Sequence, residues 1–162
     1  MRYLLLLLAL MARLAAQGQQ LIHLSQGDFI DTVQTRPAVC PAPVGYRYYM
    51  VGGKYPRSSA TLVQQAQAFL QQRGAAYGGS GFVTFRFIID CQGHRQRRTQ
   101  VLQTDPHYQP CQFAPPLLAT LYAYLQTLTE WKAATNKAGE PLQYIAYLTF
   151  KLQDGEVVAV AP

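Results

Sequence analysis

Two of the histidines follow aspartates within segments that the sequence predicts to be turns. His94 comes after Asp90, and His107 comes after Asp105. A histidine and a carboxylate can act as an acid–base pair in hydrolysis, although such loop residues are more often solvated turn formers. The chain contains no G-x-S-x-G, H-E-x-x-H or phosphate-loop motif. We therefore predict that the protein is not an enzyme and uses no cofactor or small-molecule substrate. The alternative is a secreted hydrolase that uses these loop residues.

Three cysteines, Cys40, Cys91 and Cys111, allow three disulfide pairings with one thiol left over. No C-x-x-C or H-x-x-x-H spacing occurs, so we predict no metal site. Cys91 ends the first predicted strand, whereas Cys111 follows the return of the second, which separates them by roughly 20 Å or more. A disulfide tolerates only about 7 Å between Cα atoms. This disfavours Cys91–Cys111 unless the loop over residues 103–112 folds back, and Cys40–Cys91 is the preferred pair.

The N-terminus has the layout of a secretory signal peptide over residues 1–18. Met1-Arg2 forms a positive start, Tyr3 to Leu10 is apolar, and Ala16-Gln17-Gly18 fits a cleavage site of small residues. The apolar run is too short to cross a bilayer, which needs about 20 residues. We therefore predict a periplasmic or secreted protein, in a Gram-negative cell envelope, with no integral membrane anchor.

The net charge is +6, from 14 basic and 8 acidic residues, and removal of Arg2 and Arg13 with the signal peptide would reduce it to +4. This excess is mild, and charged residues are sparse along the chain. A polybasic nucleic-acid binder carries a much stronger basic stripe. We predict no nucleic-acid partner.

Periodicity divides the rest of the chain into an extended, proline-containing lead over residues 19–45 and one domain over residues 46–162. Apolar residues at helical spacing predict a helix from Arg57 to Arg73, capped by Ser58 or Ser59 and stopped at Gly74. A second helix is predicted from near Ala114 to Trp131. Alternating runs predict strands over 82–89, 95–102 and 144–152, and Asp154-Gly155 predicts a turn that returns a short strand over 156–160.

These elements predict an α+β fold. A small antiparallel sheet, in the order second, first, third strand and possibly with the C-terminal strand fourth, packs against one long helix, with an additional N-terminal helix. The first strand is the most apolar and is expected at the centre, with Val83, Phe85, Phe87 and Ile89 facing the core. The second strand is expected at an edge that its arginines (Arg95, Arg97 and Arg98) keep unpaired.

The C-terminal half resembles the TonB C-terminal domain family, and the resemblance covers about residues 46–162. Residues 81–93 fit that family's first hairpin, G-x-V-x-V-x-F-x-I-D-x-x-G, with Phe85 at the second valine. The other matching motifs, in chain order, are Tyr55-Pro56 before a helix, Trp131-Lys132-Ala133 for W-x-P with alanine in place of proline, Gly139-Glu140-Pro141 for G-x-P, and Tyr147 to Leu152 for the last strand.

The resemblance implies a fold and a mode of contact, not energy transduction. Full energy transducers have a membrane anchor and a long proline-rich spacer, and this chain is expected to have neither. The chain is also similar to a secreted branch with an N-terminal cysteine and a second one after the first strand, which supports the Cys40–Cys91 pair.

In that family a partner's extended segment adds as a strand to the edge of the sheet. The expected partner is an envelope protein or an outer-membrane receptor segment, and the expected binding edge comprises Ile145, Tyr147 and Thr149. The C-terminal tail would then either compete for this edge or become the new edge. A passive structural domain of the envelope, with every edge capped, is the further alternative.

Overall fold

The computed structural model describes residues 28–34, 40, 45–73 and 76–162. The predicted signal peptide, parts of the lead and the predicted helix stop at Gly74 lie outside these residues. Two α-helices are described, α1 (Ser59–Gln72) and α2 (Pro115–Thr127), together with a short 3-10 helix (Tyr48–Met50). The strands are β1 (Asp28–Asp31), β2 (Tyr46–Arg47), β3 (Gly81–Ile89), β4 (Arg95–Thr104), β5 (Ala134–Thr135), β6 (Pro141–Leu142), β7 (Tyr144–Gln153) and β8 (Glu156–Ala161).

The main sheet is mixed and has six strands, in the order β1-β4-β3-β7-β2, with β8 also paired to β7. β2 runs parallel to β7, whereas the other pairs are antiparallel. β5 and β6 form a separate two-stranded sheet. The prediction of a small antiparallel sheet on one long helix is therefore wrong. The lead and the residues after it add β1 and β2 to the edges, and the helices are of similar length, 14 and 13 residues.

The core lies between one face of the sheet and the two helices. β3 alternates strictly between buried and half-buried residues, and its buried side chains face α2, where Phe85 packs near Tyr122. α1 begins at a cap in which the Ser58 hydroxyl accepts the Thr61 N–H at 3.1 Å. The opposite side of the sheet, which we call the open face, carries half-buried side chains such as Thr84 and Arg86.

The edge of β4 is covered by β1, so the prediction that arginines keep it unpaired is also wrong. Arg97 instead pairs with the Asp31 carboxylate at 3.3 Å, and Tyr122 donates to the same carboxylate at 2.8 Å. Arg98 lies over the Phe29 ring, 4.6 Å from its centroid. The long arginine side chains therefore attach a strand through an ion pair and a cation–π contact, because the lead supplies a carboxylate and an aromatic ring at the right register.

Asp31 gives a pH-dependent contribution to stability. Burial alone would raise the pKa of this carboxyl, but hydrogen bonds from the Val33 amide, Tyr122 and Arg97 outweigh burial and lower it. The stabilisation that Asp31 provides is therefore complete at pH values above the pKa of this carboxyl in the unfolded chain, about 3.9. It is lost as the pH falls through the lower pKa of the folded protein. We expect Asp31→Asn to lower the free energy of unfolding by about 1.5–3 kcal/mol at pH 7, measured by urea denaturation.

Asp28→Asn is the matched control for this prediction, because Asp28 is exposed on the same strand. We expect it to change stability by less than about 0.5 kcal/mol. The difference between Asp31→Asn and the unmodified protein should also shrink at acid pH. A difference that stays constant down to pH values well below the folded pKa would contradict the assigned role of the carboxylate.

The structure confirms the Cys40–Cys91 disulfide, whose Cα atoms lie 5.7 Å apart. Cys111 has a free, half-buried thiol, and burial raises the pKa of that thiol. Cys40 lies in the sequence between β1 and β2, which pair at opposite edges of the sheet. The disulfide therefore fixes the chain between β1 and β2 to the turn after β3.

Candidate functional site

The outer side of β7 is paired only at its two ends. On its inner side β7 pairs with β3 from Tyr144 to Leu152. On its outer side β2 pairs at Tyr144 and Ile145, and β8 pairs from Thr149 to Gln153. In the part of the chain that the structure describes, residues 146–148 pair with no strand on this outer side. We call this stretch the edge gap; three residues of strand span about 10 Å.

Local backbone geometry sets both ends of the edge gap. β2 stops at Arg47 because the chain turns into the 3-10 helix, which the Gly53 N–H closes by donating to the Tyr48 carbonyl at 2.7 Å. β8 is placed by a two-residue turn in which Asp154 and Gly155 both have positive φ, 50° and 83°. This geometry matches the twist of an antiparallel hairpin and favours the Asp-Gly pair.

An open cleft of about 370 Å³ lies at the edge gap. Three tyrosines and one arginine dominate its lining. The Tyr48 ring lies 5.4 Å from the Tyr49 ring and 6.2 Å from the Tyr147 ring, measured between centroids. Arg47 donates to the Tyr49 hydroxyl at 3.0 Å. The residues that line the cleft are Arg47, Tyr48, Tyr49, Tyr147, Thr149, Ala161 and Pro162.

The positive charge of Arg47 has no carboxylate partner among the residues that the structure describes. The arginines among them that pair with a carboxylate are Arg57, with Glu130, and Arg97, with Asp31. The pKa of the Arg47 guanidinium is raised by the hydrogen bond to Tyr49 and further by Tyr147. The cleft therefore offers an exposed cation that donates to the Tyr49 hydroxyl.

A second arginine lies beside the cleft on the open face. Arg86 is the cross-strand partner of Tyr147, so the two side chains project on the same face. Arg86 donates to the Gln100 side chain through one terminal nitrogen, while its Nε is buried and has no hydrogen-bond partner. A buried donor left unpaired costs about 1–3 kcal/mol, so this nitrogen lowers the stability of the folded chain.

The structure places two of the three predicted edge residues in the cleft. Tyr147 and Thr149 line it, and the Thr149 hydroxyl shares a 2.9 Å hydrogen bond with that of Thr84. Ile145 lies at the end of the edge gap, where it pairs with Arg47 of β2. The assignment of these residues to partner binding stays a prediction. Sequence reasoning missed the β2 side of the cleft, although the aromatic run that begins at Tyr46 was visible.

The histidines and aspartates considered for hydrolysis stabilise two separate turns. Asp90 accepts the His94 N–H at 2.9 Å, while the His94 ring is 75% exposed and 3.7 Å from the same carboxylate. Asp105 accepts the His107 N–H at 2.8 Å. No cluster of three potential metal ligands occurs among the described residues. These groups do not converge in the cleft.

Comparisons with protein-family models, curated proteins and solved structures give no match to this chain. The helices that the structure describes, α1 among them, are too short or too polar to cross a membrane.

Proposed function

We propose that the protein is a periplasmic or secreted protein-interaction module that binds an extended segment of an envelope protein or outer-membrane receptor. The segment adds to the free backbone of β7 at the edge gap and places its side chains in the cleft. The observation that carries this proposal is the tyrosine- and arginine-lined cleft at an unpaired stretch of sheet edge. The resemblance to the TonB C-terminal domain family supports the same mode of contact.

The composition of the cleft favours a protein partner. Tyrosine and arginine are among the residues that carry most of the binding energy at protein interfaces. Tyrosine also offers a large contact area with few rotatable bonds, which keeps the entropic cost of binding low. Tyr49 and its neighbour Met50 are 61% and 58% exposed, so both are available to a partner without rearrangement of the fold.

The side chains of the cleft should contribute more affinity than backbone pairing does. A gap of three residues allows about two backbone hydrogen bonds, each worth a net 0.5–1.5 kcal/mol. Truncating a tyrosine that is a hot spot of an interface costs about 2 kcal/mol or more. Backbone pairing therefore sets the direction and register of the segment, and the tyrosines supply most of the binding energy.

Selection of random linear peptides by display on the disulfide-bonded protein tests this function. We expect peptides that alternate apolar and polar residues, and we expect Tyr49→Ala to weaken their binding about tenfold or more, the equivalent of 1.4 kcal/mol. The change removes an exposed ring from the cleft without disturbing the core. Fluorescence anisotropy with a selected peptide measures the dissociation constant.

Tyr108→Ala is the matched control for the peptide experiment. Tyr108 is 72% exposed and stacks on Phe82 outside the cleft, with ring centroids 5.0 Å apart. We expect its loss to leave peptide affinity within about twofold, as for surface changes outside an interface. Failure to select any peptide, or equal effects of the two substitutions, would reject the proposed function.

A further inference from the structure

We propose that the segment bound at the edge gap contains a proline, whose ring packs against the tyrosines of the cleft where the segment leaves the sheet. This inference rests on the proposed function and names the chemistry of the partner at the same cleft. Two features of the molecule support it, the short length of unpaired backbone and the arrangement of the three tyrosine rings.

The edge gap limits how far a partner strand can pair with β7. In the described part of the chain, β2 pairs with the outer side of β7 at Tyr144 and Ile145, and β8 pairs with it from Thr149 onward. β2 and β8 therefore occupy the positions into which a longer partner strand would continue. An extended segment must leave the line of the sheet edge after about three residues, the length of the edge gap.

Proline is well suited to the point where a segment leaves a sheet. It has no backbone N–H, so no donor is left without a partner when pairing stops, and its ring holds φ at about −65°. It also restricts the preceding residue to extended conformations, which pairing with β7 requires. A proline next to the pairing residues therefore lowers the entropic cost of ordering the segment.

The tyrosines of the cleft present a surface that suits a proline ring. The Tyr48 ring is nearly perpendicular to the Tyr49 ring, at 83°, and meets the Tyr147 ring at 66°. Rings at such angles leave concave spaces between them, and proline-rich segments bind in aromatic-lined grooves of this kind. The C–H groups beside the proline nitrogen carry partial positive charge, which favours contact with the negative face of an aromatic ring.

The cleft is also partly organised before a partner binds. Arg47 donates to the Tyr49 hydroxyl at 3.0 Å, which restricts the most exposed of the three rings. Pro162 is buried and lines the same cleft as the tyrosines, so the fold already includes a proline in this aromatic wall. Side chains that are fixed in advance lose less entropy when a partner arrives.

An apolar segment without proline, which pairs as a regular strand, fits this edge less well. If such a strand continued past three residues, it would bring backbone N–H groups against β2 and β8 with no ladder partner. A donor that is desolvated without a partner opposes binding. An apolar segment that lacks proline is therefore the alternative outcome of the test.

The peptides selected by display on the disulfide-bonded protein provide the test. We expect proline to be enriched over its frequency in the library, at a fixed distance from the residues that alternate between apolar and polar. In a selected peptide, replacing that proline with alanine should weaken binding about tenfold, the equivalent of 1.4 kcal/mol. Fluorescence anisotropy measures the dissociation constants of both peptides.

Tyr147→Val tests the contact between the proline and the cleft. The change removes the ring at the edge gap but keeps a residue that favours a strand, and thermal unfolding shows whether the variant is folded. We expect the proline and alanine peptides to bind the folded variant within about twofold of each other, because the ring that distinguishes them is gone. Tyr108→Ala is the control, since its ring stacks on Phe82 outside the cleft, and the tenfold preference for proline should remain.

Nuclear magnetic resonance of a selected peptide on the unmodified protein gives a measurement that does not depend on the folding of a variant. Protons that lie over the face of an aromatic ring are shifted upfield by its ring current. We therefore expect the proline ring protons to shift upfield when the peptide binds. Binding without such a shift would show that the proline does not pack on the tyrosines.

The outcomes distinguish this inference from the proposed function. If selected peptides show no enrichment in proline while Tyr49→Ala still weakens their binding, the inference is wrong and the function stands. The same conclusion follows if the tenfold preference for proline persists in folded Tyr147→Val protein. If no peptide is selected, the proposed function itself fails, and the inference fails with it.

Discussion

Replacing Cys40 and Cys91 with serine is expected to lower the free energy of unfolding by about 4 kcal/mol. The disulfide closes a loop with a sequence separation of 51 residues, and the entropy lost by the unfolded chain on closing such a loop corresponds to this value. The disulfide also holds the lead that precedes β2, so the β2 side of the cleft should loosen. Guanidinium denaturation of the oxidised protein and of the double variant measures the difference.

The free cysteine provides the control for this prediction. Cys111 is half-buried and takes no part in the disulfide, so Cys111→Ser should cost less than about 1 kcal/mol. Peptide affinity should fall in the double variant and remain in the control. A double variant as stable as the control would show that loop closure by this disulfide does not stabilise the fold.

Elements with strong periodicity could be predicted from the sequence, whereas short elements at the sheet edges could not. The strict alternation of Val83, Phe85 and Phe87 placed β3 at the centre, where both neighbours pair with it. β1 and β2 have four and two residues, too few to show a period. They are strands because β4 and β7 present unpaired backbone groups to them, which is a tertiary effect.

The same distinction explains which residues of the candidate site could be predicted from the sequence. Tyr147 and Thr149 could be placed at an edge because the last long strand is recognisable and its partner order follows from the connections. The positions of Arg47 and Tyr48 at this edge could not be predicted, because a two-residue parallel pairing followed by a 3-10 turn has no sequence signature. The extent of the edge gap also depends on where β8 stops against Thr149, and this is set by the turn and by packing.

β8 is part of the core, so the tail does not simply compete with a partner for the edge. Val157 and Val160 are 4% and 2% exposed, and the Val157 N–H donates to the side chain of Gln67 on α1 at 2.9 Å. This bond also covers part of the outer edge of β8, as natural proteins often protect such edges. The edge gap lies outside the stretch of β7 that β8 covers.

Removing residues 154–162 is therefore expected to destabilise the protein by about 4 kcal/mol or more. Two buried valine side chains contribute about 1.5–3 kcal/mol each, and the backbone pairing of β8 with β7 is lost as well. Because whole domains of this size are stable by only about 5–15 kcal/mol, most of the cooperative transition should disappear. Circular dichroism during thermal unfolding of the truncated and complete chains measures the loss.

Single substitutions separate the loss of packing from the loss of the strand. Val160→Ala should cost about 1.5–3 kcal/mol, whereas Val158→Ala should cost less than about 0.5 kcal/mol, because Val158 is 43% exposed on the same strand. Peptide affinity at the cleft should survive both changes in the folded fraction. A truncated chain that keeps its stability and binds peptides more tightly would instead establish the tail as a competitor, because only a strand outside the core can leave without cost.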